Sequence, residues 1–217
     1  MSYYTDIGRY WKEASRHTHK TKLLIEGDSW FSIPDIANIP VQLDSMLDLS
    51  ILCLANPGDT LEDLSSGSQF KRIESLIKNS RYGQKWDAVM LSCGGNDVIG
   101  PEIKKLLRTP SDESSLNPID YINISSVDEV TKLIKKRLIL IKRLRDRSTI
   151  NSKTPIFVHT YCYLTPRNVA HEIFAWKVAG PWIYPHMIDR NIINCKLQQG
   201  IVSILLDKFY DILNEIQ

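Results

Sequence analysis

Three short motifs carry groups suited to acyl-transfer chemistry: Gly27-Asp28-Ser29-Trp30, Asn56-Pro57-Gly58-Asp59 and Gly94-Gly95-Asn96-Asp97. Ser29 offers a hydroxyl that can attack a carbonyl once a base removes its proton. Its own backbone N–H, the N–H of Gly58 and the carboxamide of Asn96 are donors of the kind that hold a tetrahedral oxyanion. Gly58 has no Cβ, so its backbone can approach a substrate closely. Each motif also has a plainer reading. Gly-Asp-Ser reads as a turn whose serine caps the next helix, Pro-Gly as an ordinary turn, and Gly, Asn and Asp are all turn formers. The three stand out together because they occur in order, each directly after an apolar run.

Those runs are the elements that must position the site. They are residues 22–26 (KLLIE), 50–55 (SILCLA) and 87–93 (DAVMLSC), with a fourth at 155–163 (PIFVHTYCY) that leads into Leu164-Thr165-Pro166. Continuous apolar runs bounded by turn residues fit strands buried on both faces of a parallel sheet. Helical patterns fill the gaps. Asp59, with Glu62 three residues on, reads as a helix start. From Thr131 to Arg147, Leu133, Ile134, Leu138, Ile141 and Leu144 recur at helical spacing, opposite Lys132, Lys135, Lys136, Lys142 and Arg143. Near the end, Ile193, Leu197, Ile201, Ile204, Leu205, Phe209 and Leu213 form a second amphipathic stretch. Residues 112–117 read as an exposed loop. The alternation predicts βαβ units, hence an α/β fold with one domain over residues 1–217. In such sheets ligands bind beyond the carboxyl ends of the strands, where the three motifs fall.

At these residues the sequence resembles the SGNH, or GDSL-type, serine hydrolases, over about residues 22 to 190. Ser29 matches the nucleophile block, here GDSW, while Gly58 and Asn96 match the glycine and asparagine blocks; His159-Thr160-Tyr161 also looks like related members. The resemblance implies a three-layer α/β/α sandwich with a central parallel sheet, flavodoxin-like in outline. It implies an esterase, lipase or other acyl hydrolase acting on a small-molecule ester or acyl substrate, with no cofactor. The expected catalytic set is Ser29, Gly58 and Asn96.

The family's base is a histidine in an Asp-x-x-His block after a fifth strand, and this sequence shows neither. Asp207 is followed three residues later by Tyr210, and Asp211 by Asn214. Without a base, a serine hydrolase loses several powers of ten in rate. Four accounts stay open. The chain is shortened relative to its functional ancestor or full gene, and the missing strand and base lie beyond Gln217; His186, with Asp189 three residues on, has been recruited; a partner subunit donates the base; or the domain binds a ligand or partner and performs no reaction. His159 reads as a satisfied core histidine inside the fourth strand, and His17, His19 and His171 as surface positions. His17-x-His19 offers too few ligands for a metal site, so none is expected.

Composition sets outer bounds. Hydrophobic residues make up 43% and charged residues 24% of 217, an ordinary globular balance. A net charge of +2 argues against a nucleic-acid partner, and the basic face between Lys132 and Arg147 reads as the solvated side of a covering helix, with an acidic partner as the weaker alternative. No apolar stretch is long enough to span a membrane and the N-terminus lacks a secretory core, so a cytoplasmic setting is expected. Cys53, Cys93 and Cys162 fall in the strand runs and, with Cys195, read as free thiols in a reducing compartment. Trp30 and Phe31 are expected near the crevice, with Trp176, Trp182 and Tyr184 divided between pocket and core, and Trp11 and Trp86 structural. A fourth strand left at the sheet edge would favour homo-oligomers.

Overall fold

The computed structural model describes residues 2–14, 18–33, 38–78, 84–100, 102–112, 114–173 and 176–217. Arg16 and His17 lie outside these, as do the side chains of His171 and Trp176. The chain divides into two compact units: Met1–Cys93 with Lys136–His159, and Gly94–Lys135 with Thr160–Gln217.

The first unit holds the sheet. Its elements are β1 (Tyr3–Tyr4), α1 (Ile7–Ala14), β2 (Thr21–Gly27), α2 (Ser29–Ser32), α3 (Ile39–Met46), β3 (Leu49–Cys53), α4 (Leu61–Ser65), α5 (Gly67–Lys78), β4 (Ala88–Ser92) and β5 (Ile156–Val158). The strands are all parallel in the order β1-β3-β2-β4-β5. Every residue of β3 and residues 23–27 of β2 are buried. That is what the unbroken apolar runs required of strands covered on both faces.

The pleat sends alternate side chains to opposite faces. Leu23, Ile25, Leu49, Ile51, Cys53 and Ala88 form one cluster with Phe31 of α2, and Ile39 and Leu43 of α3 pack against it. Burying Phe31, which is 1% exposed, contributes roughly 1.5–3 kcal/mol. The other face receives α5, whose Arg72 reaches Glu26 of β2. Helices on both faces of a parallel sheet give the three-layer α/β/α architecture expected from the sequence.

The second unit contains α6 (Gly95–Ile99), α7 (Ile103–Leu106), a 3-10 turn (Pro118–Tyr121), β6 (His171–Ile173), β7 (Trp176–Ala179), α9 (Tyr184–Ile188) and α10 (Cys195–Glu215). The long α8 (Ile124–Asp146) is shared along its length between the two units. Asn194 caps α10 by accepting from the N–H groups of Lys196 and Leu197. Leu197, Ile201, Leu205, Phe209 and Leu213 are buried along it as the periodicity predicts.

Several boundaries differ from the sequence reading. The fourth run forms a strand only over Ile156–Val158, paired with Val89, Met90 and Leu91 of β4. Cys162, expected within that strand, is therefore exposed, as is Cys195, while Cys53 and Cys93 are buried. Thr60, not Asp59, caps α4. Helix α8 begins at Ile124, and Leu133, expected on its buried face, is 47% exposed. Ile193 precedes the Asn194 cap and is exposed. Strand β1, helices α1 and α3, and the antiparallel β6–β7 pair carry no signal that the sequence reading used. No helix of the described residues is long and apolar enough to cross a membrane.

Candidate active site

The Gly27-Asp28-Ser29 turn forms at the carboxyl end of β2, the middle strand of the sheet. Gly27 stands opposite Ser92 of β4 at φ +145°, and a Cβ there would collide with the Ser92 backbone. Only glycine fits both the angle and the gap. Asp28, 1% exposed, takes the cap of α2: its Oδ1 accepts the Trp30 N–H at 3.0 Å. Its backbone N–H donates to the Ser92 carbonyl at 2.9 Å, and the Ser32 hydroxyl donates to the Asp28 carbonyl at 2.8 Å. The capping role that Gly-Asp-Ser could have given Ser29 thus belongs to Asp28. Ser29 is the first residue of α2 and is half-buried.

Gly58 sits in the turn after β3 at φ +86°, exposed, with nothing within 4 Å of the place a Cβ would take. The Asn56 N–H donates to the Gly27 carbonyl at 2.8 Å. That bond ties the turn bearing Gly58 to the turn bearing Ser29. Asn96, the second residue of α6, belongs to the second unit and is half-buried. The two glycines before it are fixed by packing within that unit. A Cβ on Gly94 would enter the Phe209 ring, and one on Gly95 the Tyr161 ring.

A cluster that no local motif announces lies beside the Ser29 turn. The Nε2 of His159 is 2.6 Å from the Oγ of Ser92. Ser92 is fully buried, and its hydroxyl also bonds Oδ1 of Asp28. The carboxylate can only accept, so the single Ser92 proton points to Asp28 and the Ser92 oxygen accepts from His159. The ring centroid of His159 is 5.4 Å from that of Phe31 and 5.9 Å from that of Trp30. Three adjacent strand ends thus supply the three groups. The signal in the sequence is one of register: Leu91 pairs with Val158, so one more residue along each strand sets Ser92 beside His159. His159 is therefore a half-buried residue just past β5, not a core residue inside a strand.

Below the turn, Glu26 is buried at 1% exposure and Arg72 donates to its carboxylate at 3.3–3.4 Å and to the Leu54 carbonyl at 3.2 Å. Burial pushes its pKa up to about 8, with Arg72 pulling the other way.

The remaining candidates lie elsewhere. His186 is half-buried in α9 of the second unit, where Asp189 forms the helix end. His19 is exposed, 3.8 Å from Asp48. Phe31 belongs to the core, whereas Trp30 is 40% exposed. Trp182 is exposed and Tyr184 half-buried in the second unit. Trp86 is buried, with its indole N–H donating to the Leu76 carbonyl at 3.0 Å. Among the described residues no group of three or more His, Cys, Asp or Glu side chains could hold a metal ion.

No protein-family model matches the chain, and no curated protein matches it.

Proposed function

We propose that this chain is a serine hydrolase acting on an ester or other acyl bond, with Ser29 as its nucleophile. The observation that carries the reading is the Gly27-Asp28-Ser29 turn. It raises a half-buried serine at the carboxyl end of the central strand, on a backbone fixed by Asp28 and Ser92 and bonded to the turn that bears Gly58. Ser29 attacks the acyl carbon, and the backbone N–H groups of Ser29 and Gly58 hold the oxyanion. The resemblance assigns the third donor to the Asn96 carboxamide. The acyl-enzyme is then released by water, with a histidine carrying the proton in each half-reaction.

The alternative reading is a domain that binds an acyl ligand or partner through these turns and performs no reaction.

A fluorophosphonate probe separates the two. The folded chain is expected to be labelled on Ser29, with labelling abolished in Ser29→Ala. A folded chain that resists the probe would point to the binding module.

A further inference from the structure

We propose that Arg72 and Gln69 of α5 are positioning residues: they pin the turn that carries Gly58 at both of its ends, against the strand that carries Ser29. The proposal rests on the hydrolase reading above and names the residues that set one of its oxyanion donors.

Packing does not hold Gly58 in place. It is exposed, at φ +86°, and the place a Cβ would take is open. Glycine takes either sign of φ at little cost, so the direction of its N–H must be set by the residues that flank it. Those flanks are tied to one helix. Before the turn, Nη2 of Arg72 donates to the Leu54 carbonyl at 3.2 Å. After it, Nε2 of Gln69 donates to Oδ2 of Asp59 at 2.6 Å. Residues 69 and 72 are neighbours on one face of α5, three positions apart. The Asn56 side chain joins the two anchor points, because its Nδ2 donates at 3.3 Å to the Leu54 carbonyl and to Asp59 Oδ2.

The same guanidinium nitrogen reaches the neighbouring strand. Arg72 Nη2 also donates to both carboxyl oxygens of Glu26 at 3.3–3.4 Å, and Glu26 lies three residues before Ser29. Leu54 and Asn56 complete the link by donating their N–H groups to the Ile25 and Gly27 carbonyls, each at 2.8 Å. One cation thus bridges the end of β2, which carries the nucleophile, and the end of β3, which carries the donor. Glu26 is 1% exposed, so the bridge lies beneath the turns and its role is to position them. A charged, planar donor group suits that role, since its bonds are stronger and more directional than those of a neutral one. Oxyanion donors act by being preset, and a displacement of about 1 Å can cost about a hundredfold in rate.

The test joins amide hydrogen exchange to fluorophosphonate labelling, on chains whose folding is checked by circular dichroism. In Arg72→Ala and in Gln69→Ala the Asn56 and Asp59 amides are expected to exchange about tenfold faster, while the amides of β3 keep their wild-type protection. The maximal labelling rate of Ser29 is expected to fall by about ten- to a hundredfold, with the half-saturating probe concentration nearly unchanged. Guanidinium ion at sub-denaturing concentration is expected to return part of that rate to Arg72→Ala and none to Gln69→Ala. Should Arg72→Ala not fold, its combination with Glu26→Gln removes the buried carboxylate left unpaired and takes its place. Wild-type exchange at Asn56 and Asp59 in all of these variants would overturn the anchoring. A loosened turn with wild-type labelling, still lost in Ser29→Ala, would overturn its bearing on the reaction and leave the hydrolase reading standing. No labelling of the folded wild-type chain, with the turn loosened in the variants, would overturn the hydrolase reading and leave Arg72 and Gln69 as the anchors of the turn.

Discussion

Glu26 sits one residue before the Gly27-Asp28-Ser29 turn and carries the clearest pH signature in the first unit. Burial raises its pKa from the ordinary 4.5 to about 8, and Arg72 offsets only part of the desolvation. The folded chain therefore binds this proton more tightly than the unfolded chain does. The stability it contributes is complete below about pH 4.5 and is lost as the pH rises through about 8. Urea midpoints at about pH 5, 7 and 9 are expected to show the wild type losing a few kcal/mol that Glu26→Gln retains. Parallel curves for the two proteins would mean that Arg72 keeps Glu26 ionised across the range. At this scale the sequence was a partial guide. It singled out Ser29, Gly58 and Asn96 because each sits in a motif of adjacent residues. It passed over Ser92 and read His159 as a core histidine because their pairing depends on the register of two strands far apart in the chain, which no window of neighbouring residues contains.

At the scale of elements, legibility followed burial. Strands β2, β3 and β4 were readable because both faces are covered and their runs are largely apolar. Strand β1 is two residues long, and β5 stops at Val158 although its apolar run continues, so neither limit is written in the run itself. The start of α4 shows the same effect on a cap. The pair Asp59 and Glu62 fits the local pattern, yet the structure uses Thr60 and Asp63 one residue later. The Thr60 N–H and hydroxyl donate to the Asp63 carboxylate at 2.8 and 2.6 Å, which holds that carboxyl below its usual range. Asp59 turns instead toward Gln69 and Asn56. Thr60→Ala is thus expected to lower stability by about 1 kcal/mol, seen as a reduced urea midpoint at unchanged slope. If Asp59→Asn cost as much while Thr60→Ala cost nothing, the cap would lie where the sequence pattern first suggested.

For the whole molecule, the order of the sheet constrains how the site can assemble. The β2–β3 and β2–β4 pairings join strands from one continuous stretch, Thr21 to Ser92. Strand β5, which delivers His159, pairs with β4 from about sixty residues further on. Closing that connection costs chain entropy that grows slowly with its length and must be met before the new contacts contribute. Among the described residues only Val89, Met90 and Leu91 pair with β5, and its Phe157 is 56% exposed, so the return for closure is small. The β2–β3–β4 core with its fully buried Ile51 is therefore expected to form first, with β5 and the Ser92–His159 contact added after the folding transition state. Chevron analysis checks this. Ile51→Val should slow folding, whereas Val158→Ala should leave the folding rate nearly unchanged and speed unfolding. Slowed folding in Val158→Ala would place β5 in the nucleus, and the site would then form with the core instead of onto it.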